Sequence, residues 1–187
     1  MNNLAVTLRK QGDLNGARQL QEKVLESRRR VLGEDHPETL TSMNNLANII
    51  VDQGDLKGAR RLQEKVLEVS RLALGEDHPD TLRSMNNLAG TLRDQGDLKN
   101  ARQLLEKVLD VSRRILGEEH PNTLRSMSNL AKTTIDQGDL KGARQLQEKV
   151  LDVSRQVLGE DHPDTLQYTN DLSRTLQDLG DLSGAYE

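Results

Sequence analysis

The sequence HPDTLRSMNNLAGTLRDQGDL, residues 78–98, recurs with few changes along this chain of 187 residues. Close copies begin at His36, His120 and His162, so that with His78 the copies start every 42 residues, and Met1 begins a partial copy. A fixed period of this length is the signature of a protein built from stacked repeats. Because each repeat contacts only its neighbours, the stack has a long surface and no single enclosed core. The period therefore predicts an interaction surface rather than a catalytic pocket.

Each period predicts two helices separated by short turns. Gly33 ends one helix, in the left-handed conformation that glycine tolerates. The next helix is predicted from Pro37, which suits a first helical turn, to about Gln53, with Asp35 or His36 as its N-cap. Its apolar residues recur at steps of three and four, so they form one stripe on the helix. The stripe contains Leu40, Met43, Leu46, Ala47 and Ile50.

The second helix of this period is predicted from Leu56 to Leu74, after the turn Gly54-Asp55. Its apolar face is broader, which suits a helix that contacts both its partner and the next repeat. The main stripe contains Ala59, Leu62, Val66, Val69 and Ala73. Because the turns are tight, successive helices must be antiparallel neighbours.

The repeats account for the whole chain, with no linker rich in proline, serine or glycine. We therefore predict one solenoid domain over residues 1–187. It consists of a partial repeat 1–35, full repeats 36–77, 78–119 and 120–161, and a partial repeat 162–187. Neither end has the polar capping helix that solenoids normally need. We therefore expect a piece of a longer array that self-associates through its uncapped ends.

The composition argues against several classes of function. The net charge is −4, whereas nucleic-acid binders normally carry a basic surface, and no Phe or Trp is present to stack on bases. Without cysteine, no disulfide or thiolate metal site is available. No stretch approaches the ~18 apolar residues of a membrane span, and the N-terminus lacks the apolar region of a signal peptide. We expect a soluble, cytoplasmic protein that binds neither nucleic acid nor membrane.

Three motifs resemble the tetratricopeptide repeat of the kinesin light chain type. They are LGEDHPDTL at residues 74–82, MNNLA at 85–89 and QGDL at 95–98. The spacing from Met43 to Ala59 also agrees with the pattern of that family. The resemblance implies an all-α, right-handed α-solenoid superhelix of antiparallel helix pairs. It further implies that the first helix of each repeat lines a concave groove, which binds proteins or peptides without catalysis.

Asparagine recurs in the middle of the first helices, although it is only a middling helix former. In the family that the chain resembles, an amide at this point often holds the backbone of an extended peptide, since it donates and accepts hydrogen bonds at once. The resemblance thereby points to Asn3, Asn45, Asn87 and Asn129. The alternative is a hydrogen-bond ladder between neighbouring first helices, and the two roles are compatible.

The residues that flank these asparagines differ between the copies. Variation on one face of a copied repeat is where a specific partner would be recognised. The flanking candidates are Asn48, Arg83, Arg93, Arg125 and Lys132. Four of these five residues are basic, which predicts a partner with acidic side chains or a C-terminal carboxylate. Asp171, at the last asparagine position, would weaken the binding of an anionic ligand there. The alternative is an ordinary solvated surface.

No motif predicts catalysis, a cofactor or a metal. The chain has no phosphate-binding loop, nucleophile elbow or HExxH zinc motif. One histidine per repeat gives a ladder that cannot converge on one zinc ion, so we interpret these histidines as parts of turns. We expect a non-catalytic protein- or peptide-binding scaffold that uses the groove. The alternative is a structural or self-associating array, a spacer or a consensus-designed repeat protein, without a dedicated groove ligand.

Overall fold

The computed structural model describes residues 2–180, in which it contains nine α-helices and no β-strand. The chain divides into two compact units, Met1–Gly96 and Asp97–Glu187. The first contains α1 (Asn2–Lys10), α2 (Leu14–Leu32), α3 (Pro37–Asp52), α4 (Leu56–Leu74) and α5 (Pro79–Asp94). The second contains α6 (Leu98–Leu116), α7 (Pro121–Asp136), α8 (Leu140–Leu158) and α9 (Pro163–Asp178). The all-α prediction is confirmed, whereas the division of the chain into one domain of repeats stays a prediction. The side chain of Asn3 lies outside the part that the structure describes.

The helix boundaries follow the predicted caps closely. His36 is the N-cap of α3, since its Nδ1 accepts a hydrogen bond from the backbone N–H of Glu38 at 3.2 Å. Asp55 caps α4 in the same way, with its Oδ1 accepting from the N–H of Gly58 at 2.8 Å. Side-chain acceptors at these positions satisfy backbone donors that lack a partner within the helix. The end of α3 at Asp52 lies one residue before the predicted position.

Gly33 has the positive φ that we predicted for a glycine at this position, at 93°, and its ψ of 169° is extended. This combination is open essentially to glycine alone. The backbone N–H of Gly33 still donates to the carbonyl of Arg29 at 3.1 Å, so the helical hydrogen bonding of α2 ends at this residue.

The core of the first unit lies where the stripes of successive helices meet. Within this unit α1, α2, α3 and α4 each pack against the helix that follows, and α3 also contacts α5. All five residues of the predicted α3 stripe are buried, with at most 7% of their surface exposed. Leu25 of α2 and Val66 of α4 complete this cluster on either side of α3. The 3.6-residue periodicity therefore identified the buried face of α3 correctly.

In the second unit α6, α7, α8 and α9 likewise pack in chain order. Leu124 and Met127 of α7 have no exposed surface, and Val108 of α6 and Val150 of α8 are 1% exposed. These residues occupy the same repeat positions as Leu40, Met43 and Val66 in the first unit. The two units are thus stabilised by the same kind of packing, repeated with the same residue types.

The predicted stripe of α4 is wrong at its C-terminal end. Ala59 and Val66 are fully buried, but Ala73 is exposed and the neighbouring Leu72 is 84% exposed. The helix has 19 residues, whereas α3 and α5, against which it packs, have 16 each. Leu74, in the same last turn, is half-buried and packs against the core. The end of α4 is therefore covered on the side of Leu74 and exposed on the side of Leu72 and Ala73.

Replacing Asp55 by alanine should lower the free energy of unfolding by about 1 kcal/mol, because the first turn of α4 loses its side-chain acceptor. Urea denaturation followed by circular dichroism measures this loss. Asparagine at the same position keeps a side-chain oxygen for the N–H of Gly58. The free energy of unfolding of Asp55→Asn should therefore be close to that of the original protein. Equal losses for the two variants would contradict the capping role.

Candidate functional site

In the first unit, α3 and α5, which are the first helices of successive repeats, are joined by hydrogen bonds between polar side chains. Asn44 Nδ2 of α3 donates to Ser84 Oγ of α5 at 2.9 Å. The same Asn44 accepts, through Oδ1, a longer hydrogen bond of 3.4 Å from Asn87 Nδ2. Asn44 is 3% exposed and Ser84 is 1% exposed. We call these three residues the asparagine ladder, and they support the ladder interpretation for Asn87.

The predicted basic residues of the first unit already have partners on the protein. Arg83 Nη2 donates to Thr41 Oγ1 at 2.9 Å and forms an ion pair with Asp80 at 2.9 Å. Arg93 pairs with Asp94 at 3.2 Å. These pairs agree with the alternative of an ordinary solvated surface on α5.

The remaining two candidates of the first unit, Asn45 and Asn48, lie half-buried on α3. They lie on the same helix as Asn44, which we did not select as a groove candidate and which forms the centre of the asparagine ladder. The signal was present in the sequence as the doubled asparagine. Whether Asn44 or Asn45 is the buried residue of this pair depends on the position of α5.

In the second unit a cleft of about 290 Å³ lies between α7 and α9. It brings together three of the predicted site residues, Arg125, Asn129 and Lys132. Their spacing of three and four residues places them on one face of α7. The rest of the lining consists of Pro121, Asn122, Ser128, Asp164, Gln167 and Tyr168.

The charges of the cleft are not equally available to a ligand. Lys132 Nζ lies 3.2 Å from Asp171 Oδ2, and the other oxygen of Asp171 accepts from Gln167 Nε2 at 2.9 Å. Arg125 is exposed, and within residues 2–180 no carboxylate forms an ion pair with it. Asp164 is the acidic residue of the opposite wall. The cleft therefore offers one guanidinium to an anion, while the charge of Lys132 is largely neutralised.

Tyr168 lines the same cleft, although it was not among the predicted site residues. Burial raises the pKa of its phenol, the negative charge of Asp164 raises it further, and Arg125 opposes this increase. The hydroxyl is therefore protonated at neutral pH and able to donate a hydrogen bond. A signal existed, because Tyr168 is one of two aromatic residues in the chain and occupies a position that is serine in the three preceding copies.

The four histidines have the same local role in all copies. In each case Nδ1 accepts from the backbone N–H two residues later, at 3.1 to 3.2 Å. They are His36, His78, His120 and His162. In the described part of the chain no three metal-ligating side chains converge on one point. Across residues 2–180, no helix combines the length and the apolar character needed to cross a membrane.

Comparison with family models identifies the repeat. A model described as tetratricopeptide repeat matches residues 42–109, 84–152 and 133–185, and a second model with the same description matches residues 1–38. Together they cover nearly the whole chain. A comparison with curated protein sequences found no match.

Solved structures agree with this result. The nearly identical TPR-like repeats of a Podosopora anserina protein assigned as a kinesin light chain are 29% identical, with a TM-score of 0.82 over 99% of this chain and 88% of that one. BtubC (BKLC) from P. vanneervenii is 22% identical, with a TM-score of 0.83 over 98% of this chain and 73% of that one. A Rap protein complexed with Competence and Sporulation Factor is 15% identical, with a TM-score of 0.80 over 97% and 48%. These similarities confirm the predicted all-α solenoid.

Proposed function

The chain belongs to the tetratricopeptide repeat family, whose fold is that of a protein-interaction scaffold, and we propose that the cleft between α7 and α9 binds an extended peptide segment. Families of this kind are typically non-catalytic. The proposal rests on one observation. Three residues selected from the sequence for peptide binding, Arg125, Asn129 and Lys132, line the same cleft.

The size and the polar groups of the cleft suit a short stretch of peptide. A volume of about 290 Å³ accommodates a few side chains rather than a protein domain. Asn129 lines the cleft with an amide, a group that both donates and accepts hydrogen bonds, as a peptide bond does.

The charge distribution favours a segment with a single acidic side chain. Arg125 is positioned to hold one carboxylate, with the bidentate geometry that guanidinium groups favour. A second carboxylate nearby would meet Asp164 on the opposite wall, and Asp171 already neutralises Lys132. We therefore propose an isolated Asp or Glu between uncharged residues, rather than a run of acidic residues.

A related fold is known with a bound factor. The Rap protein in the comparison was solved as a complex with Competence and Sporulation Factor. At 15% identity this similarity concerns the fold alone. It supports the proposal only in that a solenoid of this kind has room for a second molecule.

The test is a selection from a random 12-residue peptide library displayed on phage, with the immobilised protein as bait. We expect the selected sequences to contain one acidic residue in an uncharged context. Replacement of Arg125 by alanine should weaken the binding of a selected peptide about tenfold, which corresponds to the loss of one charge-assisted hydrogen-bonded pair. Fluorescence anisotropy of the labelled peptide measures this change.

The matched control is Arg155→Ala, which removes the same charge from an exposed position on α8. It should leave the affinity unchanged. If no peptide is selected, or if the two variants bind equally well, the cleft is not a peptide site. The structural-array alternative would then be the better description of the second unit.

A further inference from the structure

The three positions of the asparagine ladder recur in the second unit with all three residues changed. The 42-residue period places Ser128 at the position of Asn44, Tyr168 at that of Ser84, and Asp171 at that of Asn87. In the first unit the larger side chain, Asn44, is on the earlier helix and the smaller one, Ser84, is on the later helix. In the second unit the order is reversed, with the small Ser128 on α7 and the large Tyr168 on α9.

The contacts made by these residues change accordingly. In the first unit, Asn44 and Ser84 are buried and joined by a hydrogen bond of 2.9 Å. In the second unit Ser128 and Tyr168 both line the cleft, and Tyr168 is half-buried. Asp171 interacts with Lys132 and Gln167 instead of joining a ladder. The cleft thus lies where the ladder would hold the two first helices together.

From this comparison we infer that two changes, serine for asparagine at position 128 and tyrosine for serine at position 168, create the binding cleft. We also infer that Tyr168 is its specificity-determining residue. The inference rests on the proposed function, since it assumes that an acidic peptide segment occupies the cleft. The phenol ring forms a wall opposite α7 and offers aromatic surface beside Arg125. Tyrosine is well suited to this role, because it buries a large rigid surface at a low cost in conformational entropy.

The inference also assigns different roles to copies of one repeat. The first helices of the first unit are joined by their own hydrogen bonds, with Arg83 paired to Asp80 and Thr41. Those of the second unit leave a cleft. The peptide therefore binds at α7 and α9, and the ladder residues of α3 and α5 serve the structure.

The test restores the common repeat residues at the two exchanged positions, with the double substitution Ser128→Asn and Tyr168→Ser, and keeps Asp171 so that Lys132 stays paired. The probe is the acidic 12-residue peptide selected from the random library on the unmodified protein. We expect the double variant to bind it at least about tenfold more weakly, because the central aromatic contact is lost and a hydrogen bond between asparagine and serine closes the cleft. Far-UV circular dichroism should show unchanged helix content.

Two single variants keep the test decisive if the double variant does not fold. Tyr168→Ser should also lose most of the affinity, whereas Tyr168→Phe, which keeps the ring, should bind within about threefold of the original protein. Full affinity in Tyr168→Ser would overturn this inference, although the proposed peptide site at Arg125 would stand. Failure to select any peptide would overturn the proposed function and this inference together.

Discussion

Replacing Leu124 by alanine should lower the free energy of unfolding by about 2 to 5 kcal/mol, the usual cost of removing a fully buried leucine side chain. Leu124 has no exposed surface and lies on the buried stripe of α7, beside Met127. The neighbouring helices can close only part of the resulting cavity. Urea denaturation monitored by far-UV circular dichroism measures the change as a lower transition midpoint.

The repeat supplies a matched control for this prediction. Leu166 of α9 occupies the same repeat position as Leu124, but it is 51% exposed. Leu166→Ala should therefore cost less than about 0.5 kcal/mol, as substitutions at exposed positions usually do. Similar losses for the two variants would contradict the packing described for α7, because the residue type and the helix position are the same.

Replacing Gln63 by leucine should raise the free energy of unfolding by about 1 to 3 kcal/mol, which is the cost of a buried polar group without a hydrogen bond. Gln63 of α4 is 1% exposed, and within residues 2–180 neither Oε1 nor Nε2 has a hydrogen-bond partner. The next copy of the repeat has Leu105 at this position, and that side chain is 2% exposed. The site can therefore hold an apolar residue of similar size.

Gln21→Leu is the control for this second prediction. Gln21 occupies the same repeat position and is equally buried, but its Nε2 donates to the backbone carbonyl of Ser42 at 3.1 Å. Leucine there removes a hydrogen bond and leaves a buried carbonyl with one partner fewer. We expect Gln21→Leu to give no gain or a loss of stability in the same denaturation experiment. A gain equal to that of Gln63→Leu would show that hydrogen bonding does not distinguish the two sites.

Local sequence signals predicted the helices because the interactions that begin and end a helix act over a few residues. Pro37 and the cap before it set the start of α3, and Asp55 sets the start of α4. The choice between Asp35 and His36 as the cap required the structure, since both residue types can accept from the helix N-terminus. The Ala73 prediction failed because helical periodicity defines an apolar stripe but not which edge of that stripe a neighbouring helix covers, and at the end of α4 the covered side is that of Leu74.

The peptide-binding role of the candidate residues stays a prediction, but the structure shows which of them lie together. Arg125 and Lys132 were selected because their positions vary between copies, and Asn129 because asparagine recurs at its position. All three line the same cleft. Arg83 varies in the same manner, yet it is paired with Thr41 and Asp80. The sequence pattern is the same for Arg83 and Arg125, and the neighbouring side chains make the difference.

By itself, the sequence determined the repeat, the ends of the helices and the apolar faces that meet in the core. These properties depend on a regular period and on contacts between residues close together in the chain. Only the tertiary structure decided that Asn44 joins Ser84 and Asn87, which lie 40 and 43 residues away, and that Tyr168 lines a cleft. A polar side chain near a helix surface can bind water, a ligand or a neighbouring helix. Which of these it contacts depends on distances between helices that no local pattern contains.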